Sequence, residues 1–365
     1  MKLAFFVSTP GRFTAASPDE MPLGGTESCA AWLTRHLAAR GHEVTLIAAL
    51  PPETPTHLKG VRHVPMEDAT FGFFGAEDFD AVIALTMPGD AQTLKQAAPN
   101  AFHVAWLHLG PWEPALAKLK PMTPFIDCAV FVSTWQREVT RFGGPSQVIG
   151  NGIAPPFENL FASAEELLAA KENRAVYASA PERGLEILAD AFATARVQTT
   201  LDVYSGRKLY QGSDAGLEPL YAHLAALPRV TRHEPVSQAA LASALRGAAF
   251  LTYPAIVPET WCIVALEAMA AGLKVVSSTV GALPESTSGF ADLMPIGEND
   301  TRETRIAGFT PLIERNVADF LARKEEWAEE RFAQSRLVSQ RCNWAARAKE
   351  WEDFLAPAVA WKRGR

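Results

Sequence analysis

The chain has 365 residues, room for two ordinary domains, and 48% of them are hydrophobic, enough to give each a core. Its 34 Lys and Arg against 41 Asp and Glu leave a formal charge of −7 with no basic stripe, which argues against a nucleic-acid partner. Cys29, Cys128, Cys262 and Cys342 stand far apart with no CxxC or CxxxH spacing, so neither a disulfide framework nor a structural zinc site is indicated, and a reducing cytoplasm is the simplest setting.

The chain opens on "MKLAFFVSTPGR", where proline and arginine stop the apolar run too early for a signal peptide, so 3–8 reads as a buried strand. No apolar run reaches the roughly 20 residues that cross a bilayer, leaving at most peripheral membrane contact. Further continuous apolar runs follow at 43–49, 80–85, 103–109 and 128–133, the pattern of strands buried on both faces. Helical patterns separate them, such as "GGTESCAAWLTRHLAARG", ended by Gly41, and "DAQTLKQAA", ended before Pro99. This β-α-β alternation predicts a parallel, doubly wound sheet.

At "VIGNGIAPPF" (148–157) glycine, asparagine and two prolines mark a linker. The expected domains are therefore 1–153, with 343–365 packing back on it, and 154–342. The alternation restarts with "RAVYASA", a helix from about Glu182, "LDVYSG", "VTRHEP", "AFLTYPA" and "KVVSS". Two consecutive Rossmann-like halves facing across a cleft are expected. The end, about 316–357, is helical and charged; Trp344, Ala348, Trp351 and Leu355 form an apolar stripe expected to pack on the fold.

The dinucleotide fingerprint GxGxxG, the phosphate loop GxxxxGK[ST] and the GxSxG elbow are absent. "DFD" at 78–80 matches a metal-binding pattern on paper but reads as turn chemistry before a strand. Gly24 and Gly25, where a long loop enters a helix, let backbone approach a phosphate or sugar, or serve ordinary loop geometry. His108 is expected at the carboxyl end of a central strand, where open α/β sheets place ligands, though a lone histidine is more often structural than catalytic; Trp106 and Trp112 line a sugar pocket or belong to the core. Arg183, at the start of a helix whose dipole disfavours a cation, can offer a bidentate fork to phosphate.

The stretch "YPAIVPETWCIVALEAMAAGLKVVSSTVGALPE" (253–285) carries Glu259 at the mouth of a helix expected from Thr260 or Trp261, and Glu267 nearly two turns inside. A carboxylate among Ile263, Val264, Leu266, Met269 and Ala270 is costly without a polar partner, and the paired hydroxyls of a ribose would supply one. The amides of Cys262, Ile263 and Val264 would then face a diphosphate.

On these residues the sequence resembles the retaining nucleotide-sugar glycosyltransferases of the GT-B fold, family four. The "GGTE" loop, the His108 strand, the "NGI" linker, the "PERGL" helix start, the glutamates followed by "ALEAMAAG", and "GALPE" occur in that family's order. The resemblance implies that Glu267 binds the donor ribose and Glu259 the hydroxyls of the transferred sugar. Arg183 would hold the diphosphate with the amides at 262–264, Gly24 and Gly25 would face phosphate and acceptor, and His108 would touch the donor sugar near the reacting carbon. It implies no metal, no cofactor and no enzymic nucleophile, and a saccharide, glycolipid or other glycoconjugate as acceptor. The base, UDP, GDP or ADP, is expected to be read by backbone near "RHEPV", at Pro235 and Val236. Acceptor choice is expected in the loops at 10–23, 69–76 and 86–90, and the protein in the cytoplasm, at most peripheral to the inner membrane face.

The chain departs from the family at three points. The arginine expected about five residues before Arg183 is replaced by "YA" (177–178), with Lys208 as the substitute cation; Cys262 stands for glycine, and Ala154 for aspartate. An epimerase or phosphorylase of the same fold, or a sugar-binding protein without catalysis, stays open beside the transferase.

Overall fold

The computed structural model describes residues 1–85, 87–110 and 112–364. The chain divides into two compact units, Met1–Gly152 with Trp344–Arg365, and Ile153–Asn343. Each is built on a parallel sheet.

The first unit holds eight strands: β1 (Lys2–Val7), β2 (Glu43–Ala48), β3 (His57–Leu58), β4 (Val61–Pro65), β5 (Ala81–Leu85), β6 (Phe102–Leu107), β7 (Cys128–Phe131) and β8 (Ser146–Val148). Their order is β3-β4-β2-β1-β5-β6-β7-β8, and only β3 runs antiparallel, on β4. Every residue of β5 and β6 is buried, as the unbroken apolar runs require. The second unit holds β9 (Glu172–Ala178), β10 (Thr200–Tyr204), β11 (Val230–His233), β12 (Ala248–Thr252), β13 (Lys274–Ser278) and β14 (Asp292–Met294). Its order, β11-β10-β9-β12-β13-β14, reverses direction between β9 and β12, and the first sheet does so between β1 and β5. At such a reversal the following connections part to opposite faces of the sheet and leave a crevice at the carboxyl ends of the strands.

The strands that sequence patterning misses are short and lie at or near sheet edges. "VRHVP" of β4 carries Arg62 and His63, and β8 and β14 have three residues each, too few to show a run. The segments expected as acceptor loops are also more ordered than patterning suggests. Residues 71–77 form a helix capped by the Thr70 hydroxyl, and within 10–23 lies the helix Ser17–Glu20, preceded by a buried stretch pinned where the Ala15 amide donates to His63 Nε2 at 2.9 Å. Residues 88–90 form a single turn, and Thr86, like Pro111 and Arg365, lies outside the described residues.

The C-terminal region is three helices, Arg302–Ala322, Lys324–Arg341 and Trp344–Arg363. The last belongs to the first unit, where Trp344, Ala348, Trp351 and Leu355 are buried as the stripe predicts. The Trp351 ring meets Trp106 of β6 edge-on at 5.1 Å, so this helix braces the strand that leads to His108. The "DFD" acids have structural partners: Asp78 ends a helix in the left-handed conformation, while Asp80 accepts the Lys2 amide at 2.6 Å and pairs with Arg363 at 2.6 Å.

Candidate functional site

In the second unit the reversal between β9 and β12 brings two expected residues together. Leaving β9, the chain makes a single turn, Pro181–Arg183, before the helix Leu185–Thr194. Arg183 is thus in a turn ahead of the helix, whereas the sequence reading starts the helix near Glu182. Gly184 permits this: its φ is +118°, and a Cβ there would clash with the Pro254 carbonyl oxygen on the loop after β12. Gly184→Ala is accordingly expected to cost roughly 3 kcal/mol, read as a lowered urea midpoint at unchanged slope.

Arg183 Nη1 donates to Glu259 Oε1 at 2.6 Å, and the Tyr253 hydroxyl donates to the same oxygen. Burial alone would lower the guanidinium's pKa; the Glu259 carboxylate beside it holds it above its ordinary value. Glu259 is itself buried, and its backbone forms a parallel bridge with Gly281, whose φ of +65° leaves room where a side chain would collide with Glu259. The Ala282 amide completes the clamp on the Glu259 carbonyl at 2.7 Å. "GALPE" therefore fixes the height at which this acid is presented.

That bridge also moves the helix. Instead of Thr260 or Trp261, it begins at Ile263 and runs to Ala270, with Cys262 at its N-cap, because the Glu259 backbone is committed to Gly281 and Ala282. Its opening turn still leaves the amides from Cys262 onward without helical acceptors, as every helix start does. At the other end three buried side chains take up the orphan carbonyls: Lys171 Nζ donates to Ala271 O at 2.7 Å, Gln334 Nε2 to Met269 O at 3.0 Å and Leu273 O at 2.9 Å, and Ser335 to Ala270 O. Burial, then Arg246 and Arg174, lower the Lys171 ammonium well below its usual range, while the helix dipole at this end favours its charged form.

Glu267 is the fifth residue of this helix, 4% exposed. Burial raises its carboxyl to about 8, against the lowering effect of hydrogen bonds from Gln238 and the Ala154 amide. Gln238 Nε2 lies 3.3 Å from Oε1. This corrects the premise that only a ligand meets this acid: two groups of its own unit do, and as a neutral acid it is tolerated near pH 7. The sign for stability follows. A carboxyl raised on folding from 4.5 to about 8 contributes stability that is full below pH 4.5 and is lost as pH rises toward 8, on the order of 4 kcal/mol. Denaturation of parent and Glu267→Gln across pH 5 to 8 is expected to show this slope in the parent and its loss in the variant.

The substitute cation is tied up. Lys208 sits in the turn Arg207–Tyr210 after β10, largely exposed, and pairs with Glu234 at 3.0 Å, an acid also held by Arg232 at 2.9 Å. Pro235 and Val236, just beyond β11, are half-buried. Tyr177, where the family arginine is expected, is buried, donates to the Ala180 carbonyl at 2.6 Å and packs edge-on against Tyr253 at 5.8 Å, so it supplies no cation here. Burial, then the Glu259 carboxylate, push the Cys262 thiol well above its usual range.

In the first unit Gly24 is the N-cap and Gly25 the first, exposed residue of the helix Gly25–Ala39. His108 is the first residue beyond β6, and its Nδ1 lies 3.4 Å from the Thr26 hydroxyl, so the glycine turn and the histidine meet through Thr26. Burial, opposed by a hydrogen bond with the Asn151 side chain of "NGI", lowers His108 to about 3 and keeps it neutral near pH 7. Buried Gln136 holds both neighbours of His108, donating to Leu107 O at 3.0 Å and Leu109 O at 2.8 Å. Trp106 is core, and Trp112 is 43% exposed.

Sequence reasoning does not single out Tyr253, Gln238, Thr26 and Gln136. Asn151 carried a signal in the linker motif, while a tyrosine at the end of a buried strand reads as core.

Two parallel-sheet Rossmann-like units define the GT-B fold, and solved structures bear this out across the chain. A sucrose-phosphate synthase from Thermosynechococcus elongatus is similar at TM-score 0.74 and 20% identity, over 99% of this chain and 100% of that one. HepE from Anabaena in complex with UDP-glucose is similar at TM-score 0.73 and 15% identity, covering 98% and 100%. WaaG, a glycosyltransferase involved in lipopolysaccharide biosynthesis, is similar at TM-score 0.66 and 16% identity, covering 97% and 99%. No curated protein sequence matches. Residues 174–319, the segment that carries Arg183, Glu259 and Glu267, match the family model of glycosyl transferases group 1.

Proposed function

We propose that the protein is a retaining glycosyltransferase that moves a hexose-type sugar from a UDP- or GDP-linked donor to a hydroxyl of a saccharide, glycolipid or other glycoconjugate, without a metal. The second unit takes the donor and the first the acceptor. The observation that carries this reading is the grouping of Arg183, Glu259, the amides from 262 and Glu267 on connections that leave the carboxyl ends of adjacent strands β9 and β12. Glu267 accepts the ribose hydroxyls, Arg183 and the helix-start amides meet the diphosphate, and Glu259 takes hydroxyls of the sugar.

In the reaction the bond from the anomeric carbon to the phosphate oxygen breaks and the bond to the acceptor oxygen forms on the same face, the departing phosphate oxygen receiving the acceptor proton. Negative charge grows on the diphosphate, and Arg183 with the helix-start amides stabilises it where it develops. His108, neutral, positions the sugar by hydrogen bonding without exchanging a proton. HepE, whose structure holds UDP-glucose, supports a donor of this class. Among the described residues no helix is long and apolar enough to cross a membrane; we place the protein in the cytoplasm, at most peripheral to the membrane face.

Thermal-shift screening against UDP, GDP, ADP and their sugars, followed by an acceptor panel, tests the reading. One nucleotide is expected to raise Tm, with nucleotide diphosphate released only when an acceptor is present. Stabilisation without release under any acceptor would make the protein a binder, and release of an altered free sugar without acceptor would make it an epimerase.

A further inference from the structure

A cavity of about 380 Å³ lies within the second unit among the helices Leu185–Thr194, Glu218–Ala226 and Arg302–Ala322. The turn that carries Arg183 walls it through Pro181, Glu182 and Gly184, yet no residue of the proposed donor site lines it. Ile187, Leu217, Leu220 and Ile256 make its body apolar, and its volume is that of a small-molecule pocket.

Three acids and two arginines face it. Glu182 is held by Arg207, Glu186 by Arg302 at 3.3 Å, and Asp300 accepts the Gly297 amide at 2.7 Å. Arg302 is engaged by Glu186 and Asp190. The side chain of Arg305, one turn further on, forms no ion pair or hydrogen bond with any described residue, and its Nε is buried. A guanidinium donor withdrawn from water and left unmet is costly, and its planar fork matches a carboxylate. Glu182 and Glu186 are already met by Arg207 and Arg302, which leaves one guanidinium, that of Arg305, to face a single negative charge.

We infer that this cavity binds a small monocarboxylate with an apolar body, its carboxylate on Arg305 and its hydrocarbon against Ile187, Leu220 and Ile256. Calorimetric titration of the full chain with octanoate tests this. One saturable site per chain is expected, weakened at least tenfold by Arg305→Gln and closed by Leu220→Trp, with 1-octanol, the same tail without the charge, binding at least tenfold more weakly. Circular dichroism and Tm of each variant confirm that it folds. Absence of saturable binding to the parent, or parental affinity in a folded Arg305→Gln variant, overturns the inference. The site shares no residue with the donor group, so its failure leaves the transferase reading standing, and the reverse holds too.

Discussion

Arg183→Ala is expected to lower kcat by roughly two to three orders of magnitude, the loss seen when a fixed donor to a developing anion is removed. The magnitude follows from the surroundings. The second arginine that the resemblance leads one to expect is replaced here by buried Tyr177 and by Ala178, and Lys208 is paired with Glu234, which leaves Arg183 as the cation on the turn beside Glu259. Arg183→Lys should recover only part of the rate, since an ammonium cannot span a phosphate with two parallel donors and keep its bond to Glu259. Stability should fall much less than activity, because the guanidinium is partly solvated and the Tyr253 hydroxyl still meets Glu259. Steady-state kinetics beside urea denaturation separate the two: a variant that turned over at the parental rate would remove Arg183 from the chemistry.

Glu267→Leu is the second large expected effect, and it has opposite signs in stability and in binding. Near pH 8 an apolar residue of similar size should stabilise the fold, because the buried carboxyl is there half ionised among Leu266, Met269 and the flanking alanines. Nucleotide affinity should fall roughly 10- to 100-fold, the worth of hydrogen bonds from two ribose hydroxyls to one acid. A variant that was more stable and bound nucleotide as well as the parent would make Glu267 a residue of the core alone.

Much of this was legible in sequence because the signals were local. Unbroken apolar runs gave away β5 and β6, and the most specific element of the family resemblance was the pair Glu259 and Glu267 with "ALEAMAAG". What escaped was set by distant contacts. The helix start at Ile263 depends on a bridge from Glu259 to Gly281, and the hydrogen bonds that meet Glu267 come from Gln238 and Ala154, which no window around residue 267 contains. Lys208 looked available because its partner Glu234 sits on the next strand's exit. Edge strands such as β8 and β14 escaped because three residues carry no period.

In the proposed donor site Glu267 exchanges its proton for the hydroxyls of a bound nucleoside. Titration calorimetry of the nucleotide diphosphate that most raises Tm, repeated near pH 7 in buffers of different ionisation enthalpy, counts protons directly. Close to one proton is expected to be released per nucleotide bound by the parent, and none by Glu267→Gln. Equal proton release by the two, or equal affinity, would contradict it.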